Sequence, residues 1–175
     1  GTISANMLQI RLIDTHCHLD DPVFDPDRAE RLQRARQDGV CGFIVPAIHK
    51  QQWTTQAAVI AHNPDLYGAY GLHPCYMERH TLAQVDLLEA ALHDFGGVAV
   101  GEIGLDFVIA PHDPDAQLRL FEAQLAVARN LHLPVIVHAR KCHDIMLKSL
   151  RKAGVKGGVA HAFSGSLQQA EIFAD

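Results

Sequence analysis

No apolar run in the 175 residues approaches the ~20 that a membrane-spanning helix needs. Cysteine is scarce and scattered. Cys17, Cys41, Cys75 and Cys142 form no CxxC pair, which argues against a disulfide framework and for a reduced, cytoplasmic protein. Positive charge is not in excess either: 15 Lys plus Arg face 20 Asp plus Glu, a formal net charge of −5. Such a chain is poorly suited to broad, non-specific binding along a phosphate backbone, although a local anion site stays open to it. Glycine-rich GxGxxG and P-loop stretches are missing, as is a nucleophile elbow, which disfavours dinucleotide, nucleoside-triphosphate and serine-hydrolase chemistry. There is no linker rich in Pro, Gly or Ser to divide the chain.

What is present is a large apolar fraction, 48%, enough for one sizeable core. Twelve histidines also stand out. Residues 1–9, including GTISAN, read as an N-terminal extension or cloning remnant rather than a signal peptide. From residue 10 onward, short apolar runs alternate with amphipathic stretches. The apolar runs are LQIRLIDTH, CGFIVPA, LYGAYGLH, VAVGEIGLD, PVIVHA and GGVAHAF. Helices are expected after each of them. The first opens at Asp25 as N-cap with Pro26 behind it, and the last covers LQQAEIFAD with Ser166 as its cap. Six βα units of this kind indicate a parallel sheet covered by helices. An open doubly wound sheet and a TIM (β/α)₈ barrel compete. A barrel typically needs ~250 residues, so this chain is about two units short of one.

The polar residues fall at one end of these strands. His16 and His18 close the first strand, His73 the third, Glu102 and Asp106 the fourth, His138 the fifth and His161 the sixth. C-terminal strand ends are where both architectures build active sites. Alternation along a strand puts His16 and His18 on one side and Cys17 on the other. Imidazoles converging with a carboxylate suit a divalent metal. Glu102 in an otherwise apolar strand also needs a metal or an arginine as partner. Arg140 shares the side of His138 and can bind phosphate in bidentate fashion, or form an ordinary salt bridge. Ser164 can meet an anion at a helix start. His73 is either an anion contact or a turn histidine, and the cysteines read as ordinary core or surface thiols. His49, His62, His80, His93, His112, His132 and His143 are assigned to surface or capping roles.

The ordered set IDTHCHLD, GLHP, VGEIGLD, PVIVHAR and HAFSGS resembles the TatD family of metal-dependent deoxyribonucleases, and FSGSLQQAE is similar to its YjjV-like branch. The resemblance runs from about residue 10 to the last residue. It implies a single (β/α) barrel domain over 10–175, of the metal-dependent hydrolase type, incomplete at the C-terminus and holding about six βα units. Two divalent metal ions are implied. His16 and His18 match the first metal pair, Glu102 the carboxylate that holds both ions, and His138 and His161 the ligands of the second. Zn²⁺ is the expected ion, with Mg²⁺, Mn²⁺ or Co²⁺ as alternatives. The family's Asp in a Ser/Thr-Asp-x-Pro stretch, a metal ligand and general base, has no counterpart in this sequence.

The function implied is cleavage of DNA phosphodiester bonds by a metal-activated water. Glu102 and Arg140 are the expected catalytic residues, with His73, Arg140 and Ser164 at the phosphate. The partner is DNA or a small phosphodiester, not a membrane. Two rival readings remain. One is an amidohydrolase or lactonase acting on a small molecule on the same metal rim. The other is an inactive metal-binding fragment lacking the catalytic Asp.

Overall fold

A computed structural model describes residues 12–14, 25–155, 157–164 and 167–173, with side chains for 25–155, 157 and 158. Seven strands form one sheet in strict chain order. They are β1 (Leu12–Asp14), β2 (Val40–Pro46), β3 (Leu66–Tyr70), β4 (Ala99–Asp106), β5 (Val135–Arg140), β6 (Gly158–Ser164) and β7 (Leu167–Phe173). The first five pairings are parallel, each crossed by one helix: α1 (Arg28–Gln37), α2 (Trp53–Ala61), α3 (Gln84–Asp94), α4 (Pro114–Leu131) and α5 (His143–Ala153). A doubly wound sheet reverses its strand order at a switch point. Here the order never reverses, so the sheet curls in one direction, as in a barrel of the TIM kind.

The elements form for ordinary reasons. Asp113 caps α4, its side chain accepting from the N–H of Ala116 at 3.1 Å, with Pro114 in the first turn. Gly154 closes α5 in the left-handed conformation, φ 65°. Leu120, Phe121, Leu125 and Ala128 of α4 pack with Val100, Ile103, Val135 and Val137 of the sheet in the main core. Each large side chain buried there contributes roughly 1.5–3 kcal/mol. Helix α1 opens two residues later than Asp25–Pro26 suggests, with Asp27 as N-cap.

Three glutamines bind helix to sheet. Gln56 of α2 donates to the carbonyls of Val45 and Ala69. From α4, Gln124 brackets the N–H and C=O of Leu72 at 2.8 and 3.2 Å. Gln117, seven residues earlier on the same face, does the same for Asp106 at 2.8 and 2.9 Å. Backbone groups near the strand ends have no further ladder partner, and a buried amide side chain satisfies both donor and acceptor.

The largest departure from expectation is at the C-terminal side. LQQAEIF is strand β7, antiparallel to β6 with Ser164 opposite Leu167, not the helix that the sequence suggests. Among the described residues there are therefore five βα units and an antiparallel β6–β7 pair rather than six units. A helix this short is marginal without tertiary packing. Pairing along β6 satisfies an edge whose ladder groups are otherwise open. No described helix is long and apolar enough to cross a membrane.

Candidate metal centre

The site is built on the C-terminal ends of β4 and β5 and on the turn after β3. Glu102 and Asp106 are four residues apart on β4, and His138 and Arg140 are two apart on β5, so each pair faces one side. In the ladder Asp106 is the register partner of Arg140, and His161 that of His138. The strands come this close because residue 104 is glycine. Its φ is +146°, and a Cβ there would lie 2.0 Å from the carbonyl oxygen of His138. Strand β3 ends at Tyr70. His73 therefore stands beyond the strand that it was expected to close, as the residue before a 3₁₀ turn over Pro74–Arg79.

Asp106 is fully buried, and its carboxylate gathers the site. Oδ2 accepts from Arg140 Nε at 2.5 Å, His138 Nε2 at 2.7 Å and Cys75 Sγ at 3.2 Å. Oδ1 accepts from the N–H groups of Val108 and Ile109, both at 3.0 Å. Burial alone would raise its pKa. The hydrogen bonds from Arg140, His138 and Ile109 outweigh this and hold it well below the usual carboxylate range.

Glu102 is also buried. Its Oε1 lies 3.5 Å from His73 Nε2 and 3.6 Å from His138 Nδ1. The two imidazole rings stand 4.6 Å apart, centre to centre. For His138, burial opposes the cation, but hydrogen bonds to Cys75, Glu102 and Asp106 reverse the effect and raise its pKa to about 10. His73 follows the same pattern: burial lowers, and contacts with Cys75 and Glu102 raise more, for a net upward shift. Without an ion, His138 is therefore a protonated imidazole held between two carboxylates.

Ligand atoms of His73, Cys75 and His138 all lie within 4.8 Å of one another. Around an ion with bonds of ~2.0–2.3 Å, ligand atoms stand about 3–3.8 Å apart. The 3.5 and 3.6 Å separations at Glu102 fall in that range. Imidazole, carboxylate and thiol donors in this spacing fit a divalent transition ion. Arg140, half-buried, is tied to Asp106 in the salt bridge foreseen as one of its two readings.

Of the residues singled out from sequence, the structure brings His73, Glu102, His138 and Arg140 together. His16 and His18 lie outside the described residues. For His161 and Ser164 only the backbone is described, in β6. Cys75 and Asp106 are the residues that sequence reasoning left out of the site. Asp106 was already on the rim, and Cys75 follows His73 by two residues. His49, expected in a surface or capping role, stands at the N-cap position of the 3₁₀ turn over Lys50–Gln52, but its side chain is buried and makes no capping bond, accepting instead from Arg79 at 3.0 Å. Burial first, then the Arg79 charge, pushes its pKa down.

The fold and the donor set define a barrel-type α/β protein with the makings of a metal centre. Residues 13–175 match the family model described as "TatD related DNase", and the chain belongs to the TatD family. It is 43% identical over 166 residues to the Escherichia coli protein named uncharacterized metal-dependent hydrolase YjjV, covering 93% of this chain and 64% of that one. The crystal structure of YjjV superposes with a TM-score of 0.80 at 42% identity, covering 89% of this chain and 61% of the other. A Rahnella protein named 3'-5' ssDNA/RNA exonuclease TatD is 32% identical over 163 residues, 89% of this chain and 60% of its own. The chain thus spans about three-fifths of the length of these relatives.

Proposed function

We propose that this chain carries the metal-binding part of a hydrolase that cleaves phosphodiester bonds in single-stranded nucleic acid. The carrying observation is the buried cluster of Glu102, His138, His73 and Asp106 at the strand ends of a TatD-family fold. The relative named as a 3'-5' ssDNA/RNA exonuclease supports the choice of substrate. We assign two divalent ions to His16, His18, Glu102, His138 and His161, within one barrel domain over 10–175. The β5–β6 register supports the last of these, because it sets His161 directly beside His138.

A divalent ion held here supplies Lewis acidity and a water of lowered pKa. The protein's own groups do the rest. Glu102 fixes the ligand imidazoles, and Asp106 fixes His138 and Arg140. Arg140 presents its remaining N–H donors to the phosphate. Ser164, the last residue of β6, is assigned to the phosphate, and His73 reaches the phosphate only next to the ion, since it is buried against Glu102. Zn²⁺ suits the imidazole-rich set. The free thiols of Cys75 and Cys142 support a reducing, cytoplasmic setting.

The test is nucleotide release from single-stranded DNA and RNA with Zn²⁺, Mn²⁺, Co²⁺ or Mg²⁺. Release should stop on chelation and in Glu102→Gln. Hydrolysis of lactones or cyclic amides, with nucleic acid untouched, would move the activity to the small-molecule class.

A further inference from the structure

We propose that Cys75 is a metal ligand, adding a thiolate to His73 and His138 so that the centre selects a thiophilic divalent ion. This rests on the metal-centre reading above and goes beyond its motif residues, none of which is a cysteine.

Cys75 is placed by the turn after β3. Its backbone N–H donates to His73 Nδ1 at 3.1 Å, which ties the two residues into one local unit. The side chain is half-buried, with Sγ 4.0 Å from His138 Nε2 and 3.2 Å from Asp106 Oδ2. The three ligand atoms of His73, Cys75 and His138 lie within 4.8 Å of one another. Edges around a tetrahedral ion are about 3.4–3.8 Å, so closure on an ion takes side-chain movements of roughly an ångström.

Capacity decides which further donor completes the set. Asp106 is nearer to His138, but both of its oxygens are committed: Oδ2 to Arg140 and His138, Oδ1 to two backbone N–H groups. Cys75 Sγ makes one close hydrogen bond, to Asp106, beside its longer contact with His138 Nε2, and the proton it donates is lost on coordination. The other described thiols are elsewhere. Cys142 is buried and donates to the carbonyl of Leu105, and Cys41 is exposed on β2. A thiolate beside two imidazoles favours Zn²⁺, Cd²⁺ or Co²⁺ over Mg²⁺.

Cobalt titration of the whole chain tests this, because a cobalt–thiolate bond gives an intense near-ultraviolet charge-transfer band that nitrogen and oxygen ligands do not give. Wild type should develop the band as Co²⁺ binds. Cys75→Ser should abolish it while Cys17→Ser, Cys41→Ser and Cys142→Ser keep it, and Zn²⁺ added to the cobalt form should erase it. Cobalt bound by wild type without the band overturns the inference and leaves the metal centre standing. A band lost only in Cys17→Ser also overturns it. No cobalt binding by wild type overturns both. Because wild type alone can give the contrary result, the test does not depend on the folding of any variant.

Discussion

Asp106 Oδ2 and His138 Nε2 stand 2.7 Å apart, joining β4 to β5 at the C-terminal end of the sheet. His138 thereby sits between two buried carboxylates, because its Nδ1 faces Glu102 at 3.6 Å. Asp106→Asn keeps the shape and removes the charge that gathers Arg140, His138 and Cys75. Groups that orient metal ligands typically contribute 10–100-fold to metal affinity. A loss of about that size is expected by calorimetric titration with Zn²⁺, with Glu102 still present. Unchanged affinity would mean that Asp106 serves the fold alone.

Metal binding should release protons. His138 has its pKa raised to about 10, so near neutrality it is protonated without an ion, and only neutral imidazole coordinates. Apparent Zn²⁺ affinity therefore rises from pH 6 to pH 8, by about tenfold per unit for each proton displaced. Titrations in buffers of different ionisation enthalpy report the proton count directly.

The stability of the metal-free chain follows from the same pair with opposite signs. His138 is raised above its ordinary 6.5, so its contribution is complete below about pH 6.5 and fades as pH rises towards 10. Asp106 is depressed, so its contribution is complete above about pH 4 and fades as pH falls. Thermal midpoints measured in chelator should be highest between those limits. A maximum in alkali would contradict the pairing.

Gly104→Ala should break the β4–β5 contact. A Cβ 2.0 Å from the His138 carbonyl, on a backbone at φ +146°, must displace one of the strands. A loss of about 3 kcal/mol is expected from overpacking and strain together. Chemical denaturation measures it, and metal affinity should fall with it because His138 moves.

Gln117→Leu preserves bulk and leaves the N–H and C=O of Asp106 unpaired. Each orphaned buried group costs about 1–3 kcal/mol. Both denaturant midpoint and Zn²⁺ affinity should drop, whereas a substitution at exposed Glu122 on the same helix should leave both unchanged.

Much of this was legible in the sequence. The β–α alternation gave β1 to β6 and all five helices, because apolar strands and amphipathic helices have different periods. Alternation along β5 correctly paired His138 with Arg140 on one side. Two things were hidden. LQQAEIF fits a helical period and a strand edge equally, and pairing with β6 decides between them. Cys75 and Asp106 meet across 31 residues, and no local pattern reports such a contact. The glutamines were equally silent, since Gln117 and Gln124 look like ordinary helix residues until the strand ends that they satisfy are in view.

The most direct test of the metal centre is equilibrium dialysis of the whole chain against Zn²⁺, with wild type beside His138→Ala and Glu102→Ala. Wild type should retain the ion stoichiometrically and both variants should lose it while remaining folded by circular dichroism. Wild type that retains none, or folded variants that retain as much as wild type, would contradict a metal centre at the ends of β4 and β5.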